Sequence, residues 1–100
     1  MAFVKVASKS DIKSGEGKTV SASGKEIALF NVDGQFFAVD NTCAHRGGPL
    51  GEGMLDGSVV TCPWHGWKYD VKNGNSVMPP GGRQKSFPVK VEGDDVLVEV

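Results

Sequence analysis

Residues 43–70, CAHRGGPLGEGMLDGSVVTCPWHGWKYD, contain every cysteine and histidine of the 100-residue chain. These residues form two short pairs, Cys43-Ala44-His45 and Cys62-Pro63-Trp64-His65, with sixteen residues between them. Thiolates and imidazoles are common ligands of iron and zinc in proteins. Each pair is close enough in sequence for a single loop to present both side chains. The stretch therefore predicts one metal site with four ligands, which are Cys43, His45, Cys62 and His65.

Two other interpretations of these residues compete with an iron site. A buried thiol or a hydrogen-bonded core histidine is the better interpretation of any one of them alone, but not of four residues in two chelating pairs. A closed zinc site with two cysteines and two histidines is the stronger rival. Structural zinc sites usually pair like ligands, as C-x₂₋₄-C and H-x₃₋₅-H. Here each loop supplies one cysteine and one histidine, which fits a two-iron cluster better, with both thiolates on one iron and both imidazoles on the other.

The sequence around this stretch is typical of an all-β domain. Short runs rich in Val, Ile and Phe are separated by turn dipeptides, and glycine occurs 14 times. The turn dipeptides are Ser23-Gly24, Asp33-Gly34, Asp56-Gly57, Asn73-Gly74 and Gly93-Asp94. This spacing of short strands and tight turns predicts an antiparallel β-sandwich or partly open barrel.

Eight strands are predicted from the hydrophobic pattern. They are Phe3–Val6, Thr19–Ala22, Glu26–Val32, Gln35–Asp40, Ser58–Cys62, Trp67–Val71, Lys85–Val91 and Asp95–Val100. Glu26–Val32 has apolar residues on both faces, so we expect it to be covered on both sides. In Lys85–Val91 the alternation places Phe87, Val89 and Val91 on one face, and Pro88 on the other face indicates an edge strand.

Two stretches, 41–57 and 73–83, fit no strand and are expected to be irregular, functional loops. A capping-box pattern at Ser8-Lys9-Ser10-Asp11 predicts one helical turn at most. We expect a single domain spanning residues 1–100, with a small cluster-binding subdomain between about Asp40 and Met78.

Charge and hydropathy exclude several classes of partner. The formal net charge is −1, with 11 basic and 12 acidic residues, so no basic excess favours nucleic acid. No apolar run approaches the length of a membrane span, and the first residues do not have the pattern of a signal peptide. We therefore expect a cytoplasmic, monomeric protein without membrane contact. In that compartment two cysteines indicate metal binding or catalysis rather than a disulfide.

The ligand pattern resembles that of the Rieske family, C-x-H followed by C-x-x-H. The similarity continues through His65-Gly66-Trp67-Lys68-Tyr69-Asp70 and the proline-containing segment Met78-Pro79-Pro80-Gly81. The resemblance covers essentially the whole chain. It implies a Rieske-like fold that holds one [2Fe–2S] cluster, with Cys43 and Cys62 on the inner iron and His45 and His65 on the outer iron.

Departures from the quinol-oxidising members of this family indicate a low reduction potential. Those proteins have an extra cysteine in each loop, joined as a disulfide, where this chain has Gly48 and Trp64. They also have a serine whose hydroxyl donates to a cluster sulfide, where this chain has Trp67. Hydrogen bonds to sulfur raise the potential. The potential is therefore expected near the lower end of the Rieske range of roughly −150 to +300 mV.

The resemblance implies an electron carrier without a catalytic site of its own. The expected role is that of a ferredoxin that moves one electron from a flavoprotein reductase to a terminal oxygenase, through transient contacts. One alternative is a small subunit of a larger redox enzyme, such as assimilatory nitrite reductase. Another is a zinc-stabilised interaction module. Because both histidines are assigned to the metal, the commonest general base is not available for catalysis.

Overall fold

The computed structural model describes residues 3–41, 50–63, 66–78 and 84–100. Within these residues the chain forms eleven short strands. They are β1 (Phe3–Ser8), β2 (Gly17–Ala22), β3 (Lys25–Val32), β4 (Gln35–Asp40), β5 (Met54–Asp56), β6 (Val59–Thr61), β7 (Lys68–Asp70), β8 (Ser76–Met78), β9 (Ser86–Phe87), β10 (Val89–Glu92) and β11 (Asp95–Glu99).

The strands form three sheets, and every strand pair is antiparallel. The sheet orders are β1-β11-β10, β2-β3-β4-β9 and β5-β6-β7-β8. The third sheet is inserted in sequence between β4 and β9, which are neighbours in the second sheet. The prediction of an all-β, antiparallel fold is confirmed.

Strand β3 packs against apolar residues on both of its faces. Because successive side chains of a strand point to opposite faces, Ile27 and Leu29 enter one core while Ala28 and Phe30 enter another. All four are fully buried. The first core also contains residues of β1 and β11, and the second contains residues of β6 and β7. The second sheet therefore lies between the other two, and the expected coverage of β3 on both sides is confirmed.

Two-residue turns join β2 to β3 and β3 to β4 in the second sheet. Asp33 and Gly34 have φ of 52° and 89°, and Ser23 and Gly24 have φ of 51° and 77°. Positive φ at both central residues is the mark of the type I′ turn, whose twist matches that of the flanking strands. The tight turns predicted at these two dipeptides are therefore present, with Val32 paired to Gln35 and Ala22 paired to Lys25.

Both stretches that were expected to be irregular, 41–57 and 73–83, contain a strand, so that part of the prediction was wrong. Met54–Asp56 pairs with Val59–Thr61, and Ser76–Met78 pairs with Lys68–Asp70. Each of these strands has three residues, too few to show an alternating pattern. They form because their neighbours in the sheet satisfy their backbone N–H and C=O groups.

The prediction of one continuous strand at Lys85–Val91 is also wrong, because the segment divides at Pro88 into two strands. Ser86–Phe87 pairs with β4, whereas Val89–Glu92 pairs with β11. Proline has no N–H to donate to a sheet, but the Pro88 carbonyl still accepts from the Glu99 N–H at 3.0 Å. With the change of sheet, Phe87 is buried, whereas Val91 is 41% exposed.

Helical structure in the described residues is limited to two 3₁₀ turns, Lys9–Asp11 and Leu50–Glu52. The first is the single turn that the capping-box pattern predicts, and the Ser8 N–H donates to the Asp11 carboxylate at 2.9 Å. The second was not predicted. No helix in this part of the chain is long and apolar enough to cross a membrane.

Candidate metal centre

Four strand ends meet at one edge of the third sheet. Met54 pairs with Thr61, Thr61 pairs with Lys68, and Lys68 pairs with Met78. Because the strands alternate in direction, the chain arrives at Met54 and leaves from Thr61 and Met78 at the same edge. The segments that precede β5, join β6 to β7 and follow β8 therefore all begin or end there. These segments contain all four predicted ligands and the proline-containing segment.

Cys62 is the predicted ligand that the structure describes, and it follows the last residue of β6. The residue is 2% exposed and belongs to the second core, with Leu50, Val60 and Tyr69. Its N–H donates to the Trp67 carbonyl at 2.7 Å, and its carbonyl accepts from the Gly66 N–H at 3.1 Å. These two bonds hold Gly66 and Trp67 against Cys62. Gly66, at φ 75°, has the left-handed conformation that glycine adopts most readily.

The other three predicted ligands, Cys43, His45 and His65, lie outside the described residues. The described ends of segment 42–49 show how it is anchored. The Leu50 N–H donates to the Asn41 carbonyl at 2.8 Å, which brings the two ends together. Leu50 is fully buried in the same core as Cys62. Leu50 and Cys62, which adjoin the two segments with predicted ligands, therefore belong to a common apolar core.

The segment that follows β8 is anchored beside them. The Gln84 N–H donates to the Gly74 carbonyl and its side-chain Nε2 donates to the Asp40 carbonyl, each at 2.6 Å. Asp40 immediately precedes Asn41, so Gln84, the residue after segment 79–83, contacts the residue next to Asn41, which precedes segment 42–49. Sequence reasoning missed Asn41, Gly74 and Gln84. Their only sequence signal is position, since each lies close to a segment with predicted function.

Among the described residues, Lys68 is a cation at the loop-bearing edge of the third sheet, the edge where Met54, Thr61 and Met78 also lie. Lys68 Nζ donates to Thr61 Oγ1 at 2.8 Å, beside Cys62 in the sequence. A positive charge at this edge favours the reduced form of a nearby metal centre, which has one more negative charge than the oxidised form. Within residues 3–41, 50–63, 66–78 and 84–100, no three His, Cys, Asp or Glu side chains are arranged so that they could hold a metal ion.

The donor set fits an iron–sulfur cluster. Two thiolates and two imidazoles match the two kinds of ligand that a Rieske centre takes. A thiolate in an apolar core is costly unless a positive centre compensates its charge. The buried position of Cys62 therefore suits a residue that is deprotonated when it binds a metal.

Comparison with known proteins establishes the family. Residues 2–97 match the family model of the Rieske [2Fe–2S] domain. The chain belongs to the Rieske family. Its cofactor is one Rieske-type [2Fe–2S] cluster, as the ligand pattern predicted.

Individual relatives of this Rieske protein are ferredoxins of dioxygenase systems. The biphenyl dioxygenase ferredoxin subunit of Pseudomonas sp. (strain KKS102) is 42% identical over 101 residues, which cover 99% of this chain and 93% of the relative. A chain in the structure of the complex of reduced oxygenase and oxidised ferredoxin in carbazole 1,9a-dioxygenase superposes with a TM-score of 0.88. It is 35% identical and covers 96% of this chain and 91% of its own length.

The structure of a nitrite reductase NADPH small subunit also has the same fold. Its TM-score is 0.84 over the whole of both chains, at 22% identity. At that identity the likeness shows the fold alone. The Rieske-like fold inferred from the sequence is therefore confirmed, and the ferredoxin relatives are closer in sequence than this subunit.

Proposed function

We propose that this Rieske protein is a ferredoxin that carries single electrons from a flavoprotein reductase to a terminal oxygenase. One observation carries the proposal: over 99% of its length the chain is 42% identical to the ferredoxin subunit of a biphenyl dioxygenase. That relative is the electron-carrying component of its system and not the catalytic one. The low potential expected from the sequence suits a carrier that receives electrons from a flavin.

We propose that Cys43 and Cys62 bind one iron and that His45 and His65 bind the other. The arrangement of the described strands supports this assignment, because Met54 and Thr61, the strand ends of the third sheet nearest in sequence to the two ligand pairs, are paired at one edge of that sheet. The bound cluster supplies reversible one-electron chemistry. The chain fixes the Cys62 backbone with two hydrogen bonds, to Gly66 and Trp67, and surrounds the residue with apolar side chains that exclude water. Ligands held on rigid elements change position little between oxidation states.

The remaining features of the proposal concern the setting of the protein. We propose a monomer composed of one domain, residues 1–100, with its cluster-binding part at about 40–78. We propose a cytoplasmic location, since cysteines used as metal ligands are compatible with a reducing compartment. The contacts with the reductase and the oxygenase are transient, as is usual for redox partners that bury little surface.

Metal analysis of three proteins tests the ligand assignment. The parent protein is expected to contain two irons and no zinc, and to give a rhombic EPR signal after reduction with dithionite. Cys62→Ser is expected to lose the iron and the signal. Val60→Ala is the matched control, because Val60 is fully buried in the same core and lies in β6, two residues before Cys62. Iron loss from both variants to the same extent would mean that Cys62 acts through packing alone.

A reconstituted electron-transfer chain tests the carrier role. The parent protein is added to a dioxygenase ferredoxin reductase, its terminal oxygenase, NADH and the aromatic substrate. Product formation is expected to depend on the concentration of the Rieske protein and to vanish with Cys62→Ser. A protein that is reduced under these conditions but supports no turnover with any terminal oxygenase, and that copurifies with a large catalytic subunit, would favour the subunit alternative.

A further inference from the structure

Two buried amides lie beside the segments that adjoin the metal centre. Asn41 is 4% exposed and Gln84 is 2% exposed. A buried amide is unfavourable unless it is hydrogen-bonded, so its partners indicate which parts of the chain it joins. Asn41 immediately precedes segment 42–49, and Gln84 immediately follows segment 79–83.

Asn41 joins the two ends of segment 42–49. Its side-chain Oδ1 accepts from the Gly51 N–H at 2.8 Å and from Thr19 Oγ1 at 3.0 Å. Its carbonyl accepts from the Leu50 N–H at 2.8 Å. Gly51 packs closely against Asn41 and β2, because a Cβ added at Gly51 would lie 2.9 Å from Asn41 Oδ1 and 2.7 Å from the Thr19 nitrogen. One side chain thus fixes the start and the end of the segment against β2.

Gln84 joins the end of segment 79–83 to the start of segment 42–49. Its Nε2 donates to the Asp40 carbonyl at 2.6 Å, and the Asp40 N–H donates to the Lys85 carbonyl at 2.8 Å. Asp40 and Asn41 are consecutive. The two amides therefore attach both segments to one point, the end of β4.

We propose that Asn41 and Gln84 are positioning residues that hold segments 42–49 and 79–83 together and thereby determine how firmly the cluster is retained. The inference rests on the proposed ligand assignment, in which segment 42–49 contains Cys43 and His45. Both cysteines of the chain are ligands in that assignment, so none remains for a disulfide between the loops. Hydrogen bonds that Asn41 accepts and Gln84 donates supply the connection instead.

A third amide provides a matched control. Asn31 is 7% exposed, its Nδ2 donates to the Ile12 carbonyl at 2.9 Å, and its Oδ1 accepts from the Gly34 N–H at 2.8 Å. It is as buried and as well bonded as the other two. It pairs with Phe36 near the β3–β4 turn, whereas Asp40 pairs with Ile27 at the other end of the same hairpin. Asn31→Ala therefore removes a comparable amide away from the metal centre.

The test compares cluster loss with unfolding in the purified holoprotein. Bleaching of the visible absorbance is followed in excess EDTA, and urea unfolding is followed by far-UV circular dichroism. Asn41→Ala and Gln84→Ala are expected to bleach about tenfold faster than the parent, the factor that corresponds to the loss of one or two buried hydrogen bonds. Asn31→Ala is expected to lower the urea midpoint similarly but to bleach within about twofold of the parent. The EPR lines of the cluster that remains should broaden in the first two variants only.

Acidic substitutions separate positioning from packing. The described bonds of the Asn41 side chain use its acceptor oxygen, so Asn41→Asp should bleach more slowly than Asn41→Ala. The described bond of Gln84 uses its donor nitrogen, so Gln84→Glu should bleach at least as fast as Gln84→Ala. If Asn41→Ala does not fold, Thr19→Val removes one donor to Asn41 Oδ1 and gives a smaller acceleration.

Equal bleaching rates in Asn31→Ala, Asn41→Ala and Gln84→Ala would overturn the inference. That failure differs from a failure of the proposed function. If Cys62→Ser retained two irons, the ligand assignment itself would be wrong, whatever the rates of the amide variants.

Discussion

Gly74→Ala tests the connection between the β7–β8 turn and the segment that follows β8. Gly74 has φ of 79°, its N–H donates to the Asp70 carbonyl at 2.7 Å, and its carbonyl accepts from the Gln84 N–H. A Cβ at this position would collide with the Gln84 carbonyl oxygen and lie 3.1 Å from the carbonyl carbon. Both atoms belong to the backbone, so no side-chain rotation relieves the overlap.

The expected cost has two parts. An alanine in the left-handed region costs about 1–2 kcal/mol wherever it occurs. Displacement of Gln84 also breaks its N–H bond to Gly74 and its Nε2 bond to Asp40, each worth about 0.5–1.5 kcal/mol. The total is about 2–5 kcal/mol, a large share of the roughly 5–15 kcal/mol that stabilises a typical native domain.

Gly24→Ala is the control for Gly74→Ala, because Gly24 has φ of 77° and its added Cβ would meet nothing within 4 Å. Gly24→Ala therefore has the cost of placing alanine at positive φ but not the collision with a neighbouring backbone. Urea unfolding of both variants, followed by circular dichroism, should show that Gly74→Ala is less stable than Gly24→Ala by about 1–3 kcal/mol. Equal stabilities within about 0.5 kcal/mol, near the error of such extrapolations, would refute the reasoning.

Three further predictions concern the core and the reduction potential. Phe30→Ala should lower the free energy of unfolding by about 3–5 kcal/mol, because Phe30 is fully buried. The control Val91→Ala should change it by less than about 0.5 kcal/mol, because Val91 is exposed. Urea titrations that give equal losses for the two variants would contradict this. Trp67→Ser should raise the reduction potential by roughly 20–60 mV, the equivalent of one hydrogen bond to sulfur, and an unchanged potential with an intact EPR signal would contradict it. Lys68→Gln should lower the reduction potential by roughly 20–40 mV, the magnitude that Coulomb's law gives for one well-solvated unit charge near a redox centre. A potential equal to or above that of the parent in the same titration would contradict it.

The sequence was most informative where side-chain pattern alone determines structure. The apolar residues on both faces of Glu26–Val32 correctly predicted a strand between two cores. The dipeptides Ser23-Gly24 and Asp33-Gly34 correctly predicted tight turns, because few residues tolerate positive φ at both central positions. These features depend on local chemistry, which is fully present in the sequence.

Features that depend on distant pairing could not be predicted. Met54–Asp56 and Ser76–Met78 are strands only because β6 and β7 lie beside them. The change of sheet at Pro88 depends on which neighbours, β4 or β11, are within reach of each half of Lys85–Val91. An alternating pattern shows that a segment can be a strand, but it does not show which partner the segment pairs with.

The candidate site shows the same division between local and distant information. The spacing of Cys43, His45, Cys62 and His65 predicts the ligands, since each pair is local. The residues that anchor their segments were missed because their bonds join positions far apart in the sequence, such as Gln84 and Asp40. An amide in a polar loop sequence carries no sign that it will be buried.

The position of β3 links the stability of the sandwich to that of the metal centre. Leu29 packs into the core shared with β11, while its neighbour Phe30 packs into the core that contains Cys62. Neither core can lose its contacts with β3 without exposing one face of the strand. Because the two faces alternate along a single strand, the backbone that orders one core also orders the other. The loop-bearing edge is therefore supported through β3 by the whole domain and not only by the three-residue strands that adjoin it.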